Sequence, residues 1–356
     1  MTMSIDTFIL TLFTHGYKAR IGTLYQLLIG KRTSSILCYG HFYGQLPYFG
    51  LLPKLDRQVY QQSVHQLTKK NFLTVKDEKA EITQEGRKYL ADGDMINYDK
   101  LNHFVYGKSW QSFFDLLLFS TQVTAELKAG NSSYPPVENS PYKHFQLKKW
   151  LAHQLERQSK EDFIQAFSAE WHQLIETLPE LEGDFLTNQL TGADVIGKTY
   201  HQLGSLLGLN EFELTLFQRH CIHWVMTIVA GSPETYPLMN SLYQLVRQPN
   251  YNQSAYQTYQ LYLKVKKIDQ LIAHRRLKES TVLDHLIEFA IIDEKFPFFD
   301  VLTPEIKEMF FKIEKSSPDV RDWKISVIQE LYPEVSFFEM RLYQIWRVKG
   351  RMTSCE

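Results

Sequence analysis

A mainly α protein with one small β-wing is predicted by three features of the 356-residue sequence. Apolar residues recur at helical spacing along most of the chain. Strand-like alternation is confined to one short stretch, residues 72–83. Runs rich in Pro, Gly and small polar residues interrupt the helical pattern at 129–142, 231–237 and 248–254. The element order and the charge distribution suggest three consecutive parts: an N-terminal module carrying the wing (1–92), a central acidic helical domain (93–250) and a C-terminal helix-turn-helix domain (251–356).

The first part has the element order of a winged helix. Gly22–Gly30 and the segment Ser35–Leu52 supply two helices. Asp56 is placed to cap a third that runs to about Lys70, with Tyr60, Val64 and Leu67 on its inner side. Phe72–Val75, the charged turn Lys76–Lys79 and Ala80–Thr83 form a hairpin, and Gln84–Leu90 returns to helix. Arg57, Gln61, Gln62, His65 and Lys69 are candidates for a DNA-facing surface on the third helix, with Lys76 and Lys79 along the wing. The middle part reads as helix over Phe145–Arg157, Lys160–Leu178, Asn210–Val229 and Tyr236–Arg247.

The C-terminal part holds the most informative stretch. Ile268, Leu271 and Ile272 recur at helical spacing, as do Val282, Leu283, Leu286 and Phe289, with Leu277 in the turn between. This is a helix-turn-helix, and its second helix is expected to project outward. Lys266, Lys267, Arg275, Arg276 and Lys278 are candidate phosphate contacts. Ser280, Thr281 and His285 are the candidate outward positions of the second helix. Asp284 and Glu288 share that helix, and carboxylates facing phosphate weaken affinity. Arg341, Arg347, Lys349 and Arg351 around Tyr343 and Trp346 make a second basic and aromatic surface.

Net charge is -1, which argues against a general nucleic-acid coat, but the charge is unevenly spread. Residues 17–90 hold 12 Lys and Arg against 5 Asp and Glu, residues 91–250 hold 11 against 18, and 251–356 balance 16 against 16. Only one region therefore favours phosphate. Cys38, Cys221 and Cys355 are too few and scattered for a disulfide framework, so a reducing cytoplasm is expected. No apolar run reaches membrane-spanning length.

Several motifs compete with a binding role. Gly192–Thr199 (GADVIGKT) matches the phosphate-binding pattern G-x-x-x-x-G-K-[ST], but no β-branched run precedes it to form the required strand. Phe289–Glu294 mimics the strand that would carry a metal-binding acid, yet it continues a helix. Use of Lys198 by an NTPase is therefore the lesser reading. His220-Cys-Ile-His223 lacks the second ligand pair a metal site needs. The aromatic cluster Tyr39, His41, Phe42, Tyr43, Tyr48 and Phe49 reads mainly as core, with base stacking the minority alternative. No nucleophile is placed with its base, and no cofactor or metal is expected.

Ile268–Glu288 (IDQLIAHRRLKESTVLDHLIE) and Val335–Leu342 (VSFFEMRL) resemble the helicase-associated helix-turn-helix segment of some bacterial RecQ-type DNA helicases. The whole chain resembles the YpbB-type proteins of low-GC Gram-positive bacteria in size, N-terminal module and C-terminal ending. The resemblance implies a non-enzymatic DNA-binding accessory that assists a RecQ-family, ATP-dependent helicase in replication, recombination or repair. The alternative is a protein–protein adaptor that never touches DNA.

Overall fold

The computed structural model describes residues 3–15, 19–93 and 96–352, with side chains as far as Gly350. Cys355 and the Arg351 side chain lie outside the described residues. The chain begins with α1 (Ile5–Thr11), β1 (Ala19–Arg20), α2 (Ile21–Leu28), α3 (Ser34–Phe42) and α4 (Arg57–Lys69). The wing strands β2 (Leu73–Lys76) and β3 (Lys79–Ile82) follow, then α5 (Gln84–Asp92). Next come α6 (His103–Tyr106), α7 (Trp110–Ala129), α8 (Pro141–Leu155), α9 (Lys160–Glu176), α10 (Glu180–Thr187), α11 (Tyr200–Leu207), α12 (Glu211–Gly231) and α13 (Pro237–Val246). The last helices are α14 (Gln253–Val265), α15 (Ile268–Arg275), α16 (Glu279–Ile292), α17 (Pro304–Ser316), α18 (Ile325–Leu331) and α19 (Phe337–Met352). The fold is mainly α with a three-stranded sheet in the order β1-β3-β2. The short β1 strand has no counterpart in the sequence reading, because two residues carry no alternation.

Local chemistry explains the N-terminal elements. The Asp56 carboxylate accepts the N–H groups of Gln58 (2.7 Å) and Val59 (3.2 Å), capping α4 as its sequence position predicts. Thr83 caps α5 through the Gly86 N–H at 3.0 Å. Gly86 is required there because a Cβ would sit 2.4 Å from the Phe72 carbonyl oxygen. The wing turns on Asp77 and Glu78 at φ of 50° and 59°, both left-handed, as a two-residue type I′ hairpin demands.

The chain packs into two compact units that interleave along the sequence. One comprises Met1–Thr14, Gln61–Thr74 and Ile82–Asn250; the other His15–Tyr60, Val75–Glu81 and Tyr251–Glu356. This division differs from the three consecutive segments read from the sequence.

In the first unit α12 forms the centre, with Leu216, Phe217, Cys221, Ile222, Val225 and Met226 all within 1% of full burial. α6, α7, α10 and α13 pack on it, and α9 packs on α7 and α13. The N-terminus of α13 has no side-chain cap of its own; the buried Glu170 carboxylate of α9 accepts the Leu238 and Met239 N–H groups, each at 2.8 Å. In the second unit α16 is enclosed by α3, α14 and α19. Val282, Leu286, Ile287, Phe289, Ala290 and Ile291 are all buried.

Candidate nucleic-acid interface

Tyr60, Ser63, Val64 and Leu67 form the buried side of α4. Arg57, Gln61, Gln62, His65 and Lys69 are all exposed, as the 3.6-residue period requires of positions opposite that side. None of these five side chains makes a hydrogen bond or ion pair among the described residues. The helix contains no Asp or Glu from 57 to 69, so nothing on it repels phosphate. Lys76 and Lys79 flank the wing turn and are likewise exposed and unpaired. Charge follows the compact units. The unit holding residues 15–60, 75–81 and 251–356 has 24 Lys and Arg against 20 Asp and Glu; the other has 15 against 20.

The helix-turn-helix exists as α15 and α16, with Arg276 closing α15 in the left-handed region at φ 53°. Its candidate residues divide sharply. Lys267, Arg276, Lys278 and Ser280 are exposed, and Thr281 is half-buried. Lys266 reaches Asp300 at 3.2 Å while staying largely exposed. Two expectations require correction. His285 does not point outward: its Nδ1 lies 2.8 Å from the Thr258 hydroxyl of α14. Arg275 is held against α14, donating Nε to the Thr258 hydroxyl (3.0 Å), Nη1 to Gln257 (3.1 Å), and Nη2 to the Ser254 carbonyl (3.2 Å) and hydroxyl (2.9 Å).

α16 does not project into solvent. Asp284 accepts the Ser34 hydroxyl of α3 at 2.6 Å. The buried Glu288 binds Arg32 at 3.0 Å and accepts the Asn252 N–H at 3.0 Å. The carboxylates that looked unfavourable for DNA reading are clamps inside this unit. The basic tail is also partly engaged: Arg347 pairs with Glu314 at 2.7 Å, and Lys349 donates to the Asp293 carbonyl at 2.9 Å. Of the aromatic cluster, Tyr39, His41, Phe42 and Phe49 are buried, while Tyr43 and Tyr48 are half-buried. Sequence reading missed Arg20 and Lys324, which line a cleft with Lys79, Arg321 and Arg341.

The phosphate-loop match has the wrong surroundings. It follows helix α10, and most of its backbone donors are already occupied. Gly192 and Val195 bond each other, Ala193 N–H goes to Glu126, Gly197 N–H to the Thr191 hydroxyl, and Lys198 N–H to the Asn188 carbonyl. A phosphate cradle needs those donors turned toward the ligand. Gly197 is there for packing, since a Cβ would meet the Gln189 carbonyl oxygen at 2.3 Å. His220 and His223 lie inside α12, and no metal-binding group of His, Cys, Asp or Glu occurs among the described residues. Burial pushes His220 down to about 4 and His223 well below the usual imidazole range. His220 is therefore uncharged at neutral pH, and its 3.4 Å approach to Glu182 is not then an ion pair.

Residues 254–344 match the family model of a helix-turn-helix domain. The chain is also similar to Protein YpbB of Bacillus subtilis (strain 168), 22% identical over 333 residues and covering 90% of each chain. Both matches agree with the sequence reading of a chain similar to the YpbB type, with a helix-turn-helix domain toward its C-terminus. No solved structure matches it. A helix-turn-helix domain points to nucleic-acid binding or regulation. No described helix is long and apolar enough to cross a membrane.

Proposed function

We propose that this protein is a non-enzymatic DNA-binding accessory that engages duplex DNA through the outer face of α4 and the wing. The observation that carries the reading is the carboxylate-free, unpaired face of Arg57, Gln61, Gln62, His65 and Lys69. An exposed cation without a partner gains by displacing counterions from a phosphate backbone. Lys76 and Lys79 extend the contact along the wing, and Lys266, Lys267, Arg276, Lys278, Ser280 and Thr281 offer a second surface at the α15–α16 turn. Arg275 and His285 are not part of that surface. A RecQ-type helicase is the proposed partner, on the resemblance of Ile268–Glu288 to the helicase-associated segment.

The test is the charge-reversed pair Lys69→Glu and Lys70→Glu in the full chain, read by fluorescence anisotropy on duplexes of unrelated sequence. Binding should weaken alike on all of them, and the slope of log K against log salt should flatten by about 1.8, at about 0.9 per lost contact. Unchanged affinity across the titration would remove α4 from the interface and favour the adaptor role.

A further inference from the structure

Tyr142 and Phe145 stand one turn apart on α8 with their side chains in solvent, at 68% and 65% exposure. Neither ring has a ring neighbour or a cation over it among the described residues. The helix that carries them is fixed from its other side. Leu147, Trp150 and Gln154 are buried, the Trp150 indole donates to the Ser241 hydroxyl at 2.7 Å, and its ring packs edge-on against Phe163 and Phe167. Lys143 ties the first turn down, pairing with Glu138 at 2.7 Å and with Asp115 of α7. A single exposed apolar side chain is ordinary, but two adjacent rings on one anchored face make a contact surface.

The charge on that face is positive. The compact unit containing α8 is acidic as a whole, yet residues 141–157 hold Lys143, Lys148, Lys149 and Arg157 against Glu156 alone. Lys148 and Lys149 follow Phe145 by three and four residues, which sets their Cβ atoms about 5–6 Å from its own. Both are exposed, and neither makes a hydrogen bond or ion pair among the described residues. Glu156 lies about 10 Å farther along the axis at about 1.5 Å per residue, in an exposed contact with His153 at 3.9 Å. The stretch 142–149 therefore carries no carboxylate of its own.

Bare aromatic faces beside unpaired cations match what an unpaired nucleotide strand presents, since every base offers a π-face and every nucleotide a phosphate. An acidic peptide would engage the lysines and leave the rings idle. In a duplex the bases stack on one another, and only the phosphates could reach this face. We propose that the outer face of α8 binds a single strand of nucleic acid, with bases on Tyr142 and Phe145 and phosphates on Lys148 and Lys149. The inference rests on the nucleic-acid reading above for its ligand class and adds a strand-specific site to it.

The test uses the full chain carrying Tyr142→Leu with Phe145→Leu, and separately Lys148→Ala with Lys149→Ala. Tyr142→Phe with Phe145→Tyr keeps both rings and serves as control. Binding is read by anisotropy across a salt series on a labelled oligothymidylate of about 20 nucleotides and on a duplex, with polyglutamate as competitor. The leucine pair should lose strand affinity about twenty-five-fold, at about five-fold for each ring, with the salt slope unchanged because no phosphate contact is removed. The alanine pair should flatten the strand slope by about 1.4, at about 0.7 per contact. The ring-exchanged control should bind the strand as the wild type does, and the leucine pair should leave duplex affinity unchanged. Strand binding unaffected by the leucine pair overturns the proposal, as does a wild type without strand affinity. Either result leaves the α4 reading standing, since that is decided on duplexes by Lys69→Glu with Lys70→Glu. Equal losses on strand and duplex would mean that the rings touch no bases, and also overturn it. Polyglutamate competing as well as unlabelled strand would make α8 an acidic-peptide site and refute the strand assignment.

Discussion

Replacing Arg275 by Met separates a helix-turn-helix arginine that holds the domain together from one that holds DNA. Met keeps an apolar stem of similar reach and removes four hydrogen bonds to α14. A hydrogen bond to a charged group contributes about 1.5–3 kcal/mol where both partners are buried. Gln257 is exposed, so water replaces that contact at little cost. The Thr258 hydroxyl belongs to a fully buried residue, and Ser254 is half-buried. Taking the low end for those two positions and allowing for the side-chain entropy regained gives a net loss of about 2 kcal/mol. Urea unfolding followed by Trp fluorescence reads this, with Trp323 and Trp346 in the same compact unit. The salt slope of duplex binding should stay unchanged. Unaltered stability together with a slope flattened by about 0.9 would refute the reasoning and return Arg275 to the phosphate contacts.

Two further predictions follow from the same geometry. Replacing Asp77-Glu78 by Asn-Gly should stabilise the protein by about 1 kcal/mol, because both positions hold left-handed backbone that costs ordinary residues about 1–2 kcal/mol each. It should also tighten duplex binding by removing two carboxylates from the wing; a lowered Tm would contradict the turn assignment. For the buried histidines the sign is set by depressed values. Stability is complete above about pH 6.5 and is lost as pH falls toward about 4, where folded His220 takes its proton. The wild type should lose about 2 kcal/mol by about pH 5 through His220 alone, and His220→Leu should flatten that part of the profile. Urea midpoints at the two pH values check it, and an equally steep decline in the variant would count against the assignment.

The N-terminal module was legible because its signals are local. Asp56 precedes the first apolar position of α4 by a cap's spacing, and a charged dipeptide separates two short alternating runs. Each can be read within a window of about ten residues. The cleft was not legible. Arg20 becomes informative only when β1 sets it opposite Lys79, 59 positions away in sequence, and Lys324 only when α18 begins at the same cavity.

The environment of α16 was half legible, and the part that was missed follows from one pattern. Val282, Leu283, Leu286 and Phe289 mark a single apolar face, which suggested a helix with its other side free for DNA. Ile287, Ala290 and Ile291 extend the apolar surface most of the way around the C-terminal half of that helix. A helix apolar on nearly all sides must be covered by more than one neighbour. The coverage comes from α3, α14 and α19. Because α3 lies about 250 residues earlier, nothing near α16 could name it. Once α3 is in place, Arg32 neutralises Glu288, while Asp284 accepts the Ser34 hydroxyl and keeps its charge at the exposed edge. Of this helix, the first turn stays open at Glu279 and Ser280. A sequence-reading role for α16 would require α3 to leave, exposing the part of the apolar surface that α3 covers and an uncompensated Glu288. At about 1.5–3 kcal/mol for each buried apolar side chain, that opening would cost a large share of the stability of an ordinary domain. On the proposed DNA-binding reading, contact by this unit would therefore come from its edges, by the α15–α16 turn and the wing, and not by inserting α16 into a groove.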